Sequence, residues 1–357
     1  MNMTDYGKQL KTMQETKFPE LAGDDKTAYQ PLTLARITAV HRERYQVVCE
    51  YGELYARLKT KEYYGGDEIF PTAGDYVLIR YIENGDSQIM KTLPRKTLFS
   101  RLDPTPGRGE QAVAANFDYV FIMQSLNQDF NEKRLERYLA QAWRSGATPV
   151  IVLTKADLTE DYDTYVYRVE SEVPGVDVCV VSAFTGFGLD SIRAYMQPGK
   201  TAVFLGSSGI GKSSLVNALA GEEIMKTNEI REDDSKGRHT TTHRQLILLE
   251  NGSMIIDTPG MRELGMWDSS SGIAETFADV EQYLGKCRFA DCKHETEPGC
   301  AIRAAIEAGE LSEERFRRYT KLKNEAAYSE DKLAYMKKKA AWHKDVAKKN
   351  RARKEKF

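Results

Sequence analysis

Long apolar runs, cysteine and net charge are all scarce in this chain of 357 residues. No stretch of about 18 consecutive apolar residues occurs, so we expect no membrane-spanning helix and no membrane partner. The first ten residues, MNMTDYGKQL, lack the apolar segment of a secretion signal, so we predict a cytoplasmic protein. The hydrophobic fraction of 41% excludes a wholly disordered chain, and the length suits two or three domains.

Five cysteines are too few for a disulfide framework in a chain of this size. Three of them, Cys287, Cys292 and Cys300, lie within fourteen residues, together with His294. Three thiolates and one imidazole make the closed set of four ligands that a structural Zn²⁺ site requires, whereas a catalytic zinc keeps one position open. We predict one structural zinc ion here, with an iron–sulfur cluster as the alternative.

The net charge of −2 hides an uneven distribution. Residues 332–357 contain 11 Lys or Arg and 2 Asp or Glu, so this tail carries +9 and the remainder of the chain −11. A basic tail on an acidic body indicates a polyanionic partner, most simply RNA. A solvated helix without a partner explains the same composition.

Five short apolar strands separated by turn signals occupy the segment from Leu32 to Pro94. The pattern predicts an OB-type β-barrel, and an SH3-like barrel would give nearly the same pattern. Residues 1–30 are polar and aperiodic, which indicates a loosely ordered arm with at most one short helix. Residues 101–113 contain Pro104, Pro106, Gly107 and Gly109, which is the composition of a linker.

Apolar strands alternate with amphipathic helices from residue 119 to residue 257, which predicts a mostly parallel sheet covered by helices. The Asn251-Gly252 pair predicts one antiparallel hairpin within it. The predicted protein is therefore multidomain. Its predicted parts are an N-terminal arm (1–30), an OB-type β-barrel (31–100), an α/β P-loop domain (101–272) and a helical zinc-binding domain (273–357).

The segment GSSGIGKS directly follows a predicted strand and precedes a predicted helix, as the phosphate-binding loop G-x-x-x-x-G-K-[ST] requires. The backbone N–H groups of such a loop donate hydrogen bonds to phosphate oxygens, and the dipole of the helix that follows favours negative charge at its N-terminus. Lys212 is expected to reach the β- and γ-phosphates, and Ser213 to ligate Mg²⁺. The predicted phosphate-binding residues are Gly206, Ser207, Ser208, Gly209, Ile210, Gly211, Lys212, Ser213 and Ser214.

The DTPG segment ends the apolar strand that begins at Ser253. Asp257 is placed to hold a magnesium-bound water, and Gly260 to give its backbone N–H to the γ-phosphate. Between the two motifs lies the polar segment Ile230–Arg244. We expect Thr241, or failing that Thr240, to close on Mg²⁺ and the γ-phosphate as a switch.

The base is predicted to be guanine. Thr154, Lys155 and Asp157 follow a predicted strand and resemble the N/T-K-x-D motif of GTPases. An aspartate accepts hydrogen bonds from the guanine N1–H and amine, whereas adenine offers no such pair. Ser182 and Ala183, at the end of another strand, resemble the motif whose backbone N–H meets guanine O6.

The motifs come in an unusual order, because both base motifs precede the phosphate loop. This order resembles that of the circularly permuted GTPases. With a barrel before and a Cys/His motif after, the chain resembles the ribosome small-subunit-dependent GTPase A family. The resemblance covers roughly residues 32–325 and rests on the segments GSSGIGKSS, GRHTTTH, DTPG, TKADL, SAFTG and CRFADCKHETEPGC.

This resemblance implies a GTP hydrolase that acts as a late assembly or checkpoint factor of the small (30S) ribosomal subunit. Such a protein binds the subunit and its rRNA with GTP, is stimulated by the subunit and leaves on hydrolysis. We expect a monomer that uses Mg²⁺ with GTP and GDP. The alternatives are an RNA-binding scaffold with a structural nucleotide and incidental hydrolysis, or a P-loop kinase. Strong stimulation by small subunits separates the first two.

Catalysis is expected to depend on Lys212, Thr241 and a group that positions water. Met261 stands where many GTPases have Gln and cannot orient water, so intrinsic hydrolysis is expected to be slow. His239, beside the switch threonines, is the best internal candidate, as the resemblance also suggests. Thr154 replaces the usual Asn, and we expect this replacement to weaken the tie between base motif and phosphate loop.

Overall fold

A computed structural model of the chain describes residues 2–17, 32–41, 44–59, 69–102, 110–127, 130–225, 244–257, 270–329 and 331. The helices are α1 (Met3–Lys17), α2 (Glu132–Arg144), α3 (Asp163–Glu172), α4 (Leu189–Tyr195), α5 (Lys212–Ala220), α6 (Ser270–Thr276), α7 (Ala278–Glu281), α8 (Ala301–Glu307) and α9 (313–329). The strands are β1 (Thr33–Val40), β2 (Tyr45–Cys49), β3 (Gly52–Leu58), β4 (Tyr76–Arg80), β5 (Ser87–Thr92), β6 (Leu98–Leu102), β7 (Glu110–Ala115), β8 (Tyr119–Ser125), β9 (Thr148–Thr154), β10 (Val178–Val180), β11 (Thr201–Leu205), β12 (Gln245–Leu248) and β13 (Met254–Asp257).

The chain divides into two units. The first comprises residues 1–100, 112–130 and 145–262, and the second comprises residues 101–111, 131–144 and 263–357. The predicted domain boundaries at residues 30, 100 and 272 stay predictions. In the part of the chain that the structure describes, no helix combines the length and the apolar character needed to span a bilayer.

Strands β1 to β5 close a barrel, as predicted. β1 pairs with β2 and β4, β2 also pairs with β3, and β5 joins β3 to β4, so every strand has two neighbours within the barrel. The β3–β5 pair is parallel. This closed order is that of the OB-type barrel, which decides against the SH3-like alternative. Ile37, Val47, Val77 and Ile89 fill the interior and are fully buried.

The N-terminal arm is more ordered than predicted, because α1 packs on β1, β2 and β3. Tyr6 and Leu10 are buried. A Cβ on Gly7 would lie 2.0 Å from the carbonyl oxygen of Cys49, so only glycine permits this close approach. Helical periodicity is weak here because few apolar residues face the barrel. Residues 18–31 of the predicted arm lie outside the described residues.

A fully buried arginine, Arg36 of β1, joins the barrel to the α/β sheet. A buried guanidinium is stable only when its N–H groups find acceptors. Arg36 donates to the carbonyl oxygens of Gly74 (3.2 Å) and Asn116 (2.9 Å) and to the hydroxyls of Tyr6 (2.8 Å) and Thr201 (3.0 Å). Since Thr201 begins β11, this arginine fixes the start of the strand that leads to the phosphate loop.

The α/β sheet has the strand order β10-β9-β8-β11-β13-β12 and continues into the barrel through β1. Its first five strands are parallel, as predicted, and β12 is antiparallel to β13 across the Asn251-Gly252 turn. Because β9, β10, β11 and β13 are parallel, their carboxyl ends meet at one edge of the sheet. The predicted site residues therefore share that edge.

The predicted linker at 101–113 contains strand residues. β6 and β7 form a two-stranded sheet, and Phe99 of β6 stacks on Phe117 with ring centroids 4.8 Å apart. The Pro- and Gly-rich composition is confined to residues 103–109, which lie outside the described residues. Val113, the last residue of the predicted linker, is buried together with Ala114 and Ala115, which follow it.

The second unit is helical and includes α2, which the sequence order alone assigned to the α/β domain. A Cβ on Gly272 of α6 would lie 1.9 Å from the carbonyl oxygen of Ala140, so α6 and α2 pack closely. Buried Glu136 of α2 accepts hydrogen bonds from Arg315 at 2.7 Å and Arg318 at 2.8 Å, both on α9. These charge-assisted bonds tie α2 to the C-terminal helices.

Candidate nucleotide site and metal centre

The loop between β11 and α5 has the backbone shape that a phosphate cradle needs. Gly209 and Gly211 have φ angles of 72° and 98°, which side-chain-bearing residues rarely adopt. Ser208 and Ser214 are exposed, whereas Ser207 and Ser213 are half-buried. Helix α5 begins directly after this loop, so its unpaired N–H groups and its dipole favour an anion there.

Thr154, at the end of β9, ties the base motif to the phosphate loop. Its Oγ1 lies 2.8 Å from the carbonyl oxygen of Ile210 and 3.3 Å from that of Gln124. Thr154 and Ile210 are both buried, so water does not compete for this bond. We expected the replacement of asparagine by threonine to weaken the contact between base motif and phosphate loop. That contact is present, with the threonine hydroxyl as the donor.

Asp157, in the loop after β9, is held in place by Ser182, in the loop after β10. We call these two loops the base loops. Its Oδ1 accepts a hydrogen bond of 2.5 Å from the Ser182 hydroxyl, and the backbone N–H of Ala156 donates to the carbonyl oxygen of Val181 at 3.2 Å. Lys155 has a left-handed φ of 60°, which sharply turns the chain after β9. The two predicted guanine motifs are thus in contact, and the carboxylate of Asp157 stays exposed.

Lys212 of the phosphate loop and Asp257 of β13 form an ion pair. The Lys212 Nζ lies 2.8 Å from Asp257 Oδ1, and the two side chains are only 30% and 10% exposed. β13 runs parallel beside β11, which brings Asp257 to the phosphate loop. The pair places a cation and a carboxylate together beside the phosphate loop.

Cys287, Cys292, His294 and Cys300 form a cluster in which the four ligand atoms lie within 4.8 Å of one another. The His294 Nδ1 is 3.5, 3.6 and 3.4 Å from the sulfurs of Cys287, Cys292 and Cys300, respectively. The Cys287 and Cys300 sulfurs are 4.0 Å apart. A left-handed φ of 64° at His294 turns its ring into the cluster. Such a set could hold a metal ion.

The turn between His294 and Cys300 is organised by a carboxylate. Glu297 accepts hydrogen bonds of 2.9 to 3.0 Å from the backbone N–H groups of Lys293, Glu295 and Thr296. The N–H of Lys293, with the others of this turn, lowers the pKa of Glu297 to about 2. In addition, the backbone N–H of Ala301 points at the Cys287 sulfur, at 3.4 Å.

Comparison with known proteins places this site in a family. Residues 92–267 match the family model described as RsgA GTPase. A small ribosomal subunit biogenesis GTPase RsgA from Listeria monocytogenes is 49% identical over 294 residues, covering 82% of this chain and 83% of the relative. The chain belongs to the RsgA GTPase family. A relative of the same name from Methanosarcina acetivorans is 41% identical over 308 residues, covering 86% of this chain and 83% of its own length.

Two solved structures resemble this chain in overall fold, so the similarity to RsgA proteins extends from sequence to architecture. The crystal structure of YjeQ from Thermotoga maritima is similar with a TM-score of 0.61 and 26% identity, over 82% of this chain and 97% of that one. YloQ, described as a circularly permuted GTPase, gives a TM-score of 0.57 and 25% identity, over 85% and 98%. The permuted order of motifs, the barrel and the GTPase fold predicted from the sequence are confirmed.

Several site residues predicted for this RsgA family member lie outside the described residues. His239, Thr240 and Thr241 fall within 226–243, and Gly260 and Met261 fall within 258–269. Their roles stay predictions. The described residues bring together Thr154, Asp157, Ser182, the phosphate loop and Asp257, so the two halves of the predicted site meet.

Two side-chain contacts of this RsgA chain were not predicted. The serine of the second base motif was assigned only a backbone role, whereas its hydroxyl also holds Asp157. Glu297 was not singled out at all. Its position midway between His294 and Cys300, two predicted metal ligands, was a usable signal, since tight turns often need a side-chain acceptor for their N–H groups.

Replacing Thr154 with valine tests the tie between base motif and phosphate loop. Valine has the same shape but leaves the buried carbonyl of Ile210 without this donor, which costs about 1–3 kcal/mol. We expect affinity for GTP and for GDP to fall about tenfold together, because both nucleotides use the same loop. Titration with a fluorescent guanine nucleotide measures this. Thr154→Ser, which keeps the hydroxyl, should bind nearly as wild type; equal affinities for the valine and serine variants would contradict the role.

Proposed function

We propose that this chain binds and hydrolyses GTP in the biogenesis of the small ribosomal subunit, as the names of its relatives state for them. The observation that supports this most is the hydrogen bond of 2.8 Å from Thr154 to Ile210. It joins the guanine motif to the phosphate cradle, so one guanine nucleotide can occupy both.

Each site residue has a proposed role. Asp157 accepts from guanine, the backbone at Ala183 meets its O6, and the side-chain stem of Lys155 packs along the base plane. Residues Gly206 to Ser214 cradle the phosphates, with Lys212 neutralising the β- and γ-oxygens. Thr240, Thr241, Gly260 and His239 complete the γ-phosphate side, with His239 positioning the attacking water.

The nucleotide is proposed to carry Mg²⁺. The Ser213 hydroxyl and Thr241 would supply oxygen, which is the ligand type that Mg²⁺ prefers, and the Asp257 carboxylate would hold a magnesium-bound water. When bound, the ion neutralises charge that develops on the phosphate oxygens. The nearly buried Asp257 beside Lys212 supplies a fixed carboxylate at this point.

The metal proposed for the Cys/His cluster is one structural Zn²⁺. For zinc at about 2.3 Å from sulfur and 2.0–2.1 Å from nitrogen, tetrahedral geometry requires ligand atoms roughly 3.6–3.8 Å apart. The three N···S separations of 3.4–3.6 Å and the Cys287–Cys300 S···S separation of 4.0 Å are close to this requirement. Four protein ligands leave no open position, so the ion supplies stability rather than catalysis.

The proposed setting is the cytoplasm, with the chain acting as a monomer on the small subunit and its rRNA. Hydrolysis with and without purified small ribosomal subunits tests the proposal. We expect GTP but not ATP to be hydrolysed, slowly alone and at least tenfold faster with subunits. Equal use of ATP, or no change on adding subunits, would contradict it; the second result favours a scaffold with a structural nucleotide.

Glu297→Gln is expected to speed metal loss. Partners outside the ligand shell typically change metal affinity 10–100-fold. Glutamine replaces one of the two accepting oxygens of Glu297 with an NH₂ donor and removes the charge, so the N–H groups of the turn lose acceptors. We expect about tenfold faster zinc transfer to a chelator. Because the folded pKa of about 2 lies below the ordinary 4.5, the ionised carboxylate contributes fully above pH 4.5 and loses its effect only as the pH falls towards 2. The ratio of the zinc-transfer rates of the variant and the wild type should therefore be constant from about pH 6 to about pH 9, where the carboxylate stays ionised. A rate equal to wild type would refute the role of Glu297.

A further inference from the structure

Large apolar side chains are exposed on the two base loops. Phe184 is 91% exposed, Leu158 61% and Phe187 48%. Tyr162 packs against Phe187 with ring centroids 5.8 Å apart. The loops that carry these residues contact each other through Ser182 and Asp157, as described above. We call Leu158, Tyr162, Phe184 and Phe187 the apolar patch.

The loop that carries Phe184 has a fixed backbone. The N–H of Ser182 donates to the carbonyl oxygen of Phe187 at 2.9 Å. The N–H of Gly186 donates to the carbonyl oxygen of Ser182 at 3.0 Å. The N–H of Thr185 donates to the Ser182 hydroxyl at 3.2 Å. Exposure of Phe184 is thus imposed by an ordered loop. An aromatic side chain on a fixed backbone has only two rotatable bonds to order on binding, which suits an interface hot spot.

The surroundings of the apolar patch are acidic. From Lys155 to Asp163, the segment that carries Leu158 and Tyr162, the chain has four Asp or Glu residues and one Lys residue, a net charge of −3. Glu160, Asp161 and Asp163 are exposed beside or between the patch residues in the chain, and the exposed Asp190 forms an ion pair with Arg193 at 2.9 Å. A negative rim around apolar groups selects a positively charged partner, since like charges suppress wrong partners.

This charge decides between possible occupants. The phosphates of RNA and an anionic lipid surface would both be repelled. A second copy of the chain in a two-fold contact would bring two acidic faces together. A basic protein surface with an apolar pocket could pair its charges with the acidic residues and bury the apolar patch.

We propose that the apolar patch is a docking surface for a basic protein of the small ribosomal subunit. The partner inserts apolar groups against Phe184 and Leu158, and its Lys and Arg residues face the acidic rim. Because the patch lies on the loops that hold guanine, docking there contacts the base end of the nucleotide site. This inference rests on the proposed function for its partner.

The test uses the full chain with a non-hydrolysable GTP analogue and a Leu158→Ser/Phe184→Ser double variant. Binding is measured to purified small subunits, to protein-free small-subunit rRNA and to the nucleotide. We expect affinity for intact subunits to fall at least tenfold, while affinity for free rRNA and for nucleotide stays within twofold. Ile224→Ser, another exposed apolar residue of the same unit, is the matched control and should bind as wild type.

Each other outcome overturns the inference in a distinct way. Unchanged binding to intact subunits shows that no partner docks on the patch. An equal loss on protein-free rRNA identifies an RNA-binding face, and a loss of nucleotide affinity identifies Phe184 as part of the guanine site. If the wild-type chain itself fails to bind subunits, the result contradicts the proposed function as well as the docking surface.

Discussion

Asp157→Asn is expected to change the nucleotide preference from GTP to XTP. An aspartate accepts from the N1–H and the amine of guanine, whereas an asparagine presents a donor to the C2 carbonyl of xanthine. We expect the affinity for GTP to fall about 100-fold, since each lost charge-assisted hydrogen bond is worth roughly 1.5–3 kcal/mol. Competition between the two triphosphates for one fluorescent nucleotide measures the change.

The structure favours Asp157→Asn as a clean substitution. The Oδ1 of asparagine can still accept the hydrogen bond from Ser182, so the contact between the two base loops is kept. Asp190→Asn, at an exposed position in the first turn of α4, should leave the preference for GTP intact. A variant that still prefers GTP over XTP would show that Asp157 does not read the base.

Lys212→Ala is expected to reduce GTP hydrolysis at least about 100-fold, because a positioned donor to a developing charge typically contributes 10²–10³ in rate. Subunit-stimulated turnover at saturating GTP measures the loss. The substitution also leaves the nearly buried carboxylate of Asp257 without its cation. Thermal unfolding of the variant therefore has to be recorded beside its activity.

Lys200→Ala is the matched control for Lys212→Ala. Lys200 lies just before β11, and its exposed ion pair with Asp118 is of the kind that contributes little to stability. We expect turnover within twofold of wild type. Normal turnover in a folded Lys212→Ala protein would remove Lys212 from the proposed catalytic group.

The parts of the fold that could be predicted are those with a local pattern. Alternating strands and turn residues predicted the barrel, and the phosphate-loop motif between a strand and a helix predicted α5 with its loop. The Cys/His spacing predicted a four-ligand cluster. Each of these depends on neighbours in sequence, so a single segment carries the signal.

The features that escaped prediction depend on contacts between distant segments. α1 is ordered by burial of Tyr6 and Leu10 on the barrel, which its own periodicity barely indicates. α2 joins the C-terminal helices through Glu136 and two arginines that follow it by 179 and 182 residues in the chain. No local pattern encodes such pairs.

The same limit applies to the nucleotide site. The motifs indicated which residues meet the base and which meet the phosphates, but not how the two halves join. Thr154 was expected to weaken that join because it lacks a carboxamide. Its hydroxyl reaches Ile210 nevertheless, since β9 and the phosphate loop lie close enough for a shorter side chain.

A crystal structure of the chain with bound GDP tests the central claim most directly. The account predicts a single nucleotide whose guanine N1–H and amine face the Asp157 carboxylate, while its β-phosphate accepts hydrogen bonds from the backbone between Gly209 and Lys212. A nucleotide with its phosphates in that loop and its base bound away from Asp157 would contradict the account.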